Sequence, residues 1–157
     1  MGLNLESYPT LRAGVMTRPQ TGDSQGWLLS YRVNELGARV LIVDDEPLVA
    51  SALARALRQL GCVVESHSSP KAALERLEAA APQVVLSDLH MPQMRGTAFL
   101  CEVKKRVPEA SRGLVSALMD DVSEAEWGLV RPCAVIGKPW TEAELLAAVH
   151  GAGHFER

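Results

Sequence analysis

Short apolar runs alternate with amphipathic segments along most of this chain. Five runs have the composition of β-strands: Val40–Val43, Cys62–Glu65, Val84–Ser87, Gly113–Ser116 and Cys133–Ile136. The first run is apolar throughout, as expected for a strand that is covered on both faces. Regular alternation of strands and helices predicts an α/β fold with a parallel sheet and helical crossovers.

Each apolar run is followed by a segment with helix start signals. The five starts carry a cap residue, a proline or a glycine: Pro47, Ser69-Pro70, Gly96-Thr97, Ser123-x-x-Glu126 and Thr141-x-x-Glu144. Gly61 is expected to end the first helix. The buried stripe predicted for that helix consists of Leu48, Leu53, Ala56, Leu57 and Leu60.

Composition favours one folded domain with a tail. The 157 residues are 47% hydrophobic and 22% charged, which excludes a collagen-like or disordered chain. No apolar stretch approaches the roughly 18 residues that a membrane span requires. Because the first residues also lack a secretory signal, we expect a cytoplasmic protein. The net charge of −3 argues against direct nucleic-acid binding.

The first 37 residues differ from the rest in composition. They contain several glycines and prolines and show little apolar periodicity before Trp27. We therefore expect a partly flexible N-terminal extension over residues 1–37, a folded domain over 38–152 and a C-terminal tail over 153–157. Trp27 and Tyr31 could cover exposed core or contact a partner, and both interpretations stay open.

Polar residues stand at the ends of four predicted strands. Asp44 and Asp45 follow the first strand, Asp88 follows the third, Ser116 ends the fourth and Lys138 follows the fifth. Ligands bind at the carboxyl ends of strands in such sheets. Three carboxylates at one edge repel each other unless a cation compensates. Oxygen donors without Cys or His favour Mg²⁺ over Zn²⁺.

At these positions the sequence resembles the receiver domain of bacterial two-component response regulators. The matching elements are Asp44-Asp45, Asp88, Met91-Pro92-x-Met94-x-Gly96, Ser116 and Lys138-Pro139, in this order. The resemblance covers roughly residues 38–152 and leaves the N-terminal extension unexplained. It implies a flavodoxin-like, doubly wound sheet of five parallel strands in the order 2-1-3-4-5, with five helices.

The resemblance implies three catalytic roles. Asp88 would attack the phosphorus of a phosphohistidine and form an aspartyl phosphate. Ser116 would donate its hydroxyl to a phosphoryl oxygen, and Lys138 would neutralise part of the charge during transfer. In the family the peptide bond between Lys138 and Pro139 is usually cis.

The resemblance also implies a Mg²⁺ site. Asp45 and Asp88 would bind the ion directly, and Asp44 would bind it through water. The backbone carbonyl of His90, two residues after Asp88, would supply a further ligand. The side chain of His90 is interpreted as a polar flank of this acidic pocket.

The implied function is that of a phosphoacceptor response regulator. A sensor histidine kinase or phosphotransfer protein would donate the phosphate in a Mg²⁺-dependent reaction, and the signal would pass to a downstream protein target. No output domain is expected after the last helix, so catalysis would be limited to the protein's own phosphorylation and dephosphorylation. No contact with nucleic acid or membrane is expected. A homodimer, a relay intermediate and a fragment of a longer regulator stay open.

Two positions depart from the family pattern. Val135 stands where the family usually has Tyr or Phe, so the activation signal would travel through Ser116 and its loop or through another residue. Leu118 should hinder water and slow the loss of the phosphoryl group. A degenerate receiver acting as a phosphorylation-independent docking module is therefore the alternative. A phosphatase of the haloacid dehalogenase type is disfavoured, because Asp44-Asp45-Glu46 lacks its Asp-x-Asp spacing.

Overall fold

The structure is a computed structural model that describes residues 37–118 and 121–151. Apart from Gly37, the predicted N-terminal extension and C-terminal tail lie outside the described residues. The strands are β1 (Arg39–Val43), β2 (Val63–His67), β3 (Val84–Asp88), β4 (Ser111–Ser116) and β5 (Ala134–Gly137). The helices are α1 (Pro47–Gln59), α2 (Pro70–Ala80), α3 (Gly96–Arg106), α4 (Glu124–Val130) and α5 (Glu142–Gly151).

The five strands form one parallel sheet in the order β2-β1-β3-β4-β5. This order confirms the predicted flavodoxin-like α/β fold. In the register, Val40 of β1 pairs with Val64 of β2 on one side and with Val84 of β3 on the other. All five residues of β3 are buried, so the strand that ends in Asp88 is covered along its whole length.

The core lies on both faces of the sheet. Leu41 and Val43 of β1 belong to a buried cluster with Leu77 of α2 and Phe99 of α3. The intervening residue Ile42 is equally buried but lies outside that cluster. Because successive strand side chains point to opposite faces, a second core layer covers the other side. The sheet is therefore doubly wound, as predicted.

Local cap chemistry fixes where several helices begin and end. The Ser69 hydroxyl accepts from the backbone N–H of Ala72 at 3.3 Å, which satisfies one of the free donors in the first turn of α2. Both predicted capping boxes form, at Ser123 before α4 and at Thr141 before α5. Gly61 adopts a left-handed φ of +92° after α1, a conformation that glycine adopts without steric cost.

The predicted burial of Leu48 is wrong, because its side chain is 86% exposed. The buried residues of α1 are Ala50, Leu53, Ala54 and Leu57. At 3.6 residues per turn, Leu48 falls on the side of the helix opposite Leu57. Two alanines thus occupy positions on the buried face that the pattern of large apolar residues did not indicate.

The ends of the strands differ slightly from the prediction. β2 and β5 begin one residue later than predicted, and β4 begins two residues earlier. β2 continues to His67 because its backbone pairs with β1 as far as Val43, although Ser66 and His67 are polar. None of the described helices is both long and apolar enough to cross a membrane.

Candidate functional site

Residues from three strand ends meet at one edge of the sheet. Asp44 follows β1, Asp88 is the last residue of β3, and Lys138 follows β5. The Lys138 Nζ atom donates to Asp44 Oδ2 at 2.7 Å and to Asp88 Oδ1 at 3.1 Å. The parallel order of the strands brings these side chains together, although they are far apart in the sequence.

Asp45 completes a group of three carboxylates. One oxygen from each of Asp44, Asp45 and Asp88 lies within 4.8 Å of the other two. Asp44 and Asp88 are buried, and Asp45 is half-buried. Hard divalent cations such as Mg²⁺ prefer such oxygen donors. The chemistry and spacing of this group therefore fit the metal that the sequence suggested.

Asp88 lies in an unusual electrostatic environment for a carboxylate. Burial raises the pKa of Asp88, and the nearby charge of Asp44 raises it further, while the Lys138 ammonium opposes both effects. The backbone N–H of Leu89 also donates to Asp88 Oδ1, at 2.9 Å. Asp88 is thus partly desolvated yet held by two donors, which orients one of its oxygens.

The pKa of Lys138 reflects the same balance. Burial alone lowers the pKa of this ammonium, but its hydrogen bonds to Asp44 and Asp88 outweigh that effect and leave the pKa raised. Lys138 therefore carries a positive charge at neutral pH. The peptide bond that follows it, to Pro139, is cis, as the family resemblance implied.

Ser116 ends β4 and is buried. Its hydroxyl accepts from the backbone N–H of Leu118 at 3.2 Å and contacts the Leu118 carbonyl at 3.4 Å. The backbone N–H of Lys138 donates to the Ser116 carbonyl at 3.1 Å. Ser116 thus lies beside Lys138, which follows the neighbouring strand β5, and the Ser116 side chain binds the backbone of its own loop.

A cleft of about 350 Å³ adjoins the carboxylates; its lining residues are Asp45, Leu89, His90, Met91, Pro92 and Arg95. The His90 ring is largely exposed, and its Nε2 atom lies 3.5 Å from Asp121 Oδ2. His90 and Asp45 thus line the same cleft. The cleft thus lies between Asp45 and the β3–α3 loop.

Gly96 allows α3 to begin directly against the end of β3, the strand that ends in Asp88. A Cβ atom at this position would lie 2.0 Å from the Asp88 carbonyl oxygen. The Gly96 N–H donates to the Leu89 carbonyl at 2.8 Å. Only a residue without a side chain permits this approach, which gives a steric reason for the glycine in the Met91-Pro92-x-Met94-x-Gly96 segment.

The two positions that depart from the family pattern, Val135 and Leu118, are both exposed in the structure. Val135 lies on β5 with its side chain 46% exposed, and Leu118 follows β4 with 67% exposed. Trp140, just after Pro139, is half-buried. The side chains of Val135 and Leu118 therefore lie outside the buried core.

Sequence reasoning missed a polar cluster between α3 and α4. Arg95 and Thr97 donate to Glu126 Oε1 at 2.6 and 2.7 Å, and Arg95 also binds Asp121. The one sequence signal is the Ser123-x-x-Glu126 capping box, which predicts a local partner for Glu126 and not contacts about 30 residues away.

The fold agrees with a comparison against known families. The family model for the response regulator receiver domain matches residues 40–150. Because this match spans well over half of the chain, the protein belongs to the receiver domain family. Phosphorylation of an aspartate is general to that family.

Relatives agree with this assignment. The chain is 29% identical over 117 residues to protein-glutamate methylesterase/protein-glutamine glutaminase 1 of Anaeromyxobacter dehalogenans, covering 74% of this chain and 28% of that protein. It is 33% identical over 116 residues to the transcriptional regulatory protein CutR of Streptomyces coelicolor, covering 73% of this chain and 53% of that protein. The chain thus spans between about a quarter and a half of these curated relatives.

A solved structure shows the same fold. It is the signal receiver domain of an HD domain-containing protein from Pseudomonas fluorescens, with a TM-score of 0.68 and 26% sequence identity. The alignment covers 74% of this chain and 94% of that chain. The similarity therefore includes nearly the whole of an isolated receiver domain.

Proposed function

We propose that this chain is a phosphoacceptor response regulator in which Asp88 takes the phosphoryl group. A sensor histidine kinase or a phosphotransfer protein serves as the donor, and a protein partner reads the modified surface. The observation that carries this proposal is the placement of Asp88 beside Lys138 Nζ, at 3.1 Å, within a group of three carboxylates.

The transfer forms one bond and breaks another. A carboxylate oxygen of Asp88 attacks the phosphorus of a phosphohistidine, and a P–O bond forms as the P–N bond breaks. The electron pair of the broken bond stays on the imidazole nitrogen of the donor. The Leu89 N–H and Lys138 hold Asp88 Oδ1, which leaves Oδ2 as the attacking oxygen.

Asp44, Asp45 and Asp88 are the side chains that would hold Mg²⁺, with the His90 carbonyl as a backbone ligand. When bound, the ion supplies positive charge for the phosphoryl oxygens during transfer. Lys138, at the carboxyl end of β5, supplies a second positive charge. Its ion pairs with Asp44 and Asp88 support this role, because they hold the ammonium beside the proposed acceptor.

Ser116 is proposed to bind a phosphoryl oxygen. Its hydroxyl is engaged by the backbone of Leu118, through a contact of 3.2 Å from the N–H. A hydroxyl can exchange such a neutral partner for an anionic oxygen, which forms a shorter and stronger hydrogen bond. Rotation of this side chain would release the Leu118 backbone and alter the loop after β4.

The acceptor role is tested by mass spectrometry of the full chain after incubation with Mg²⁺ and a small phosphodonor. We expect the mass of one phosphoryl group, located on Asp88 and absent when the metal is chelated. Asp88→Asn should abolish the adduct. Glu75→Gln removes an exposed carboxylate on α2 as a control and should leave the adduct in place.

The competing function is a docking module that works without phosphorylation, which the valine at position 135 favours. In that case, the wild-type chain would form no adduct on Asp88 under these conditions. Its binding to a partner would also be unchanged by Asp88→Asn. Rapid turnover of free phosphomonoesters would contradict both functions and indicate a phosphatase.

A further inference from the structure

Glu126 joins two helices through both of its carboxylate oxygens. Its Oε1 atom accepts from Arg95 Nε at 2.6 Å and from Thr97 Oγ1 at 2.7 Å. Its Oε2 atom accepts from the backbone N–H of Ser123 at 2.9 Å and from the Ser123 hydroxyl at 3.0 Å. We call these four residues the Glu126 clamp. The clamp ties the first turn of α3 to the N-terminal cap of α4.

The α3 side of the clamp lies directly against the acceptor strand. Arg95 and Thr97 flank Gly96, whose backbone packs so closely that an added Cβ would lie 2.0 Å from the Asp88 carbonyl oxygen. The Gly96 N–H also binds the Leu89 carbonyl. Any displacement of the Asp88 backbone must therefore move the two donors that bind Glu126, because close-packed atoms cannot interpenetrate.

The clamp is ionised and firmly held at neutral pH. The hydrogen bond from Arg95 lowers the pKa of Glu126 to about 2, with help from Ser123 and Thr97. Thr97 is buried, which protects its bond from water. Charge-assisted hydrogen bonds of this kind are about twice as strong as neutral ones.

Arg95 extends the connection to the segment before α4. Its Nη1 atom lies 3.3 Å from Asp121 Oδ2, and its Nη2 atom donates to the Asp121 carbonyl. His90 Nε2 approaches the same Asp121 oxygen at 3.5 Å. His90 and Arg95, which line the cleft beside Asp45, thus also contact the segment that precedes α4.

We propose that Glu126 is the positioning residue through which the acceptor site and α4 act on each other. The inference rests on the proposed function and adds a route for its signal. The route runs from Asp88 to Gly96, then through Arg95 and Thr97 to Glu126 and α4. This path needs no aromatic side chain on β5, where the chain has Val135. Coupling between two sites is reciprocal, so a partner bound to α4 also changes the acceptor site.

Trp127 reports on α4, because it directly follows Glu126 and packs against the core. Trp27→Phe and Trp140→Phe in the full chain leave Trp127 as the single tryptophan. Beryllofluoride with Mg²⁺ serves as the phosphoryl mimic, and fluorine NMR measures how much of the protein carries it. In this reference protein, we expect the mimic to shift the emission of Trp127.

Arg95→Gln and Thr97→Val each remove one donor to Glu126 from the α3 side. We expect both variants to bind the mimic to saturation and to lose most of the Trp127 shift. Thr97 is buried, so Arg95→Gln, at a side chain 33% exposed, provides the test if the threonine variant fails to fold. Glu102→Gln breaks an exposed ion pair with Lys105 elsewhere on α3 and should keep the full shift.

Three outcomes distinguish a failure of the proposed function from a failure of the coupling through Glu126. A reference protein that does not bind the mimic contradicts the proposed function. A reference protein that binds it without any change at Trp127 contradicts the coupling. The coupling is also overturned if Arg95→Gln binds the mimic and shifts Trp127 as far as the reference protein does.

Discussion

Lys138 shows how one side chain organises the site. Its Nζ atom bridges Asp44 and Asp88, at 2.7 and 3.1 Å, and its backbone N–H binds the Ser116 carbonyl. Two carboxylates this close would repel each other without the shared cation. The lysine therefore offsets part of the negative charge of this acidic pocket.

At Gly96 we expect the addition of a single methyl group to lower the stability of the protein strongly. In Gly96→Ala the new methyl group would overlap the Asp88 carbonyl oxygen, at 2.0 Å. The start of α3 must then move away from β3. We expect a loss of about 3 kcal/mol in the free energy of unfolding, measured by urea denaturation, together with slower phosphorylation of Asp88.

Gly128 provides the matched control for that substitution. It lies within α4, and an added Cβ would meet no atom within 4 Å. Gly128→Ala should stabilise the protein by about 0.5 to 1 kcal/mol, because alanine loses less backbone entropy in a helix. Equal effects of the two substitutions would show that close packing on Asp88 is not what requires a glycine at position 96.

At the scale of elements, the sequence predicted local features better than distant contacts. The capping boxes at Ser123 and Thr141 were recognisable because both partners lie within one turn. The exposure of Leu48 was not, because small alanines occupy the buried face of α1. A helical period in the sequence predicts that one face of the helix is buried, but it does not determine which neighbouring residues lie on that face.

In the candidate site, too, contacts that follow from the strand order were predictable and contacts between helices were not. Asp44, Asp88 and Lys138 were predictable together, since parallel strands bring their carboxyl ends to one edge. The bond from Arg95 to Glu126 joins residues 31 positions apart and depends on the angle between two helices. No spacing in the sequence records that angle, so this pair emerged only from the structure.

An ion pair between Glu65 and Arg76 links β2 to α2 and makes stability depend on pH. Arg76 donates to Glu65 through Nε at 2.8 Å and Nη2 at 3.1 Å. This contact, opposed in part by burial and aided by His67, lowers the pKa of Glu65 from 4.5 to about 2. The folded state therefore holds this carboxylate ionised at pH values where the unfolded chain is already protonated.

The pair should stabilise the fold above about pH 4.5 and lose that effect as the pH falls toward 2. The sign follows because a lowered folded-state pKa means that the unfolded state binds the proton more readily. In Arg76→Gln, we expect a lower urea midpoint at pH 7 and a difference from wild type that shrinks below pH 4.5. The effect is small, because the pair is partly exposed and screened by salt.

Lys71→Gln is the control for the lost charge. Lys71 is exposed on the same helix, and no ion pair of Lys71 occurs among the described residues. Its replacement should change the urea midpoint little at any pH. A difference between Arg76→Gln and wild type that stays constant from pH 7 to pH 3 would contradict the assignment to Glu65.

At the scale of the whole molecule, stability comes from the two core layers that enclose the sheet. Phe99 is among the largest fully buried side chains and belongs to the layer formed with α2 and α3. Phe99→Ala should lower the free energy of unfolding by about 3 to 5 kcal/mol, through lost burial and the cavity left behind. Leu48→Ala, at an exposed position, should change it by less than about 0.5 kcal/mol.

Urea denaturation followed by circular dichroism measures the overall stability of both variants, and amide hydrogen exchange measures the stability of each element. Since a single domain of this size unfolds cooperatively, loss of one core layer should lower stability in every element together. A Phe99→Ala protein in which α1 and β2 keep their wild-type stability would show that the two layers unfold independently.

The strand order also sets the sequence of events during synthesis. β1 lies inside the sheet, between β2 and β3, and Arg39 of β1 also donates to Gln83, the residue just before β3 and 44 residues away. When only β1 and β2 have left the ribosome, the backbone N–H and C=O groups along the edge of β1 that pairs with β3 still lack their partners in the sheet. The ribosome must therefore extrude the chain past Asp88 before the centre of the sheet can close, and such non-local pairing slows folding.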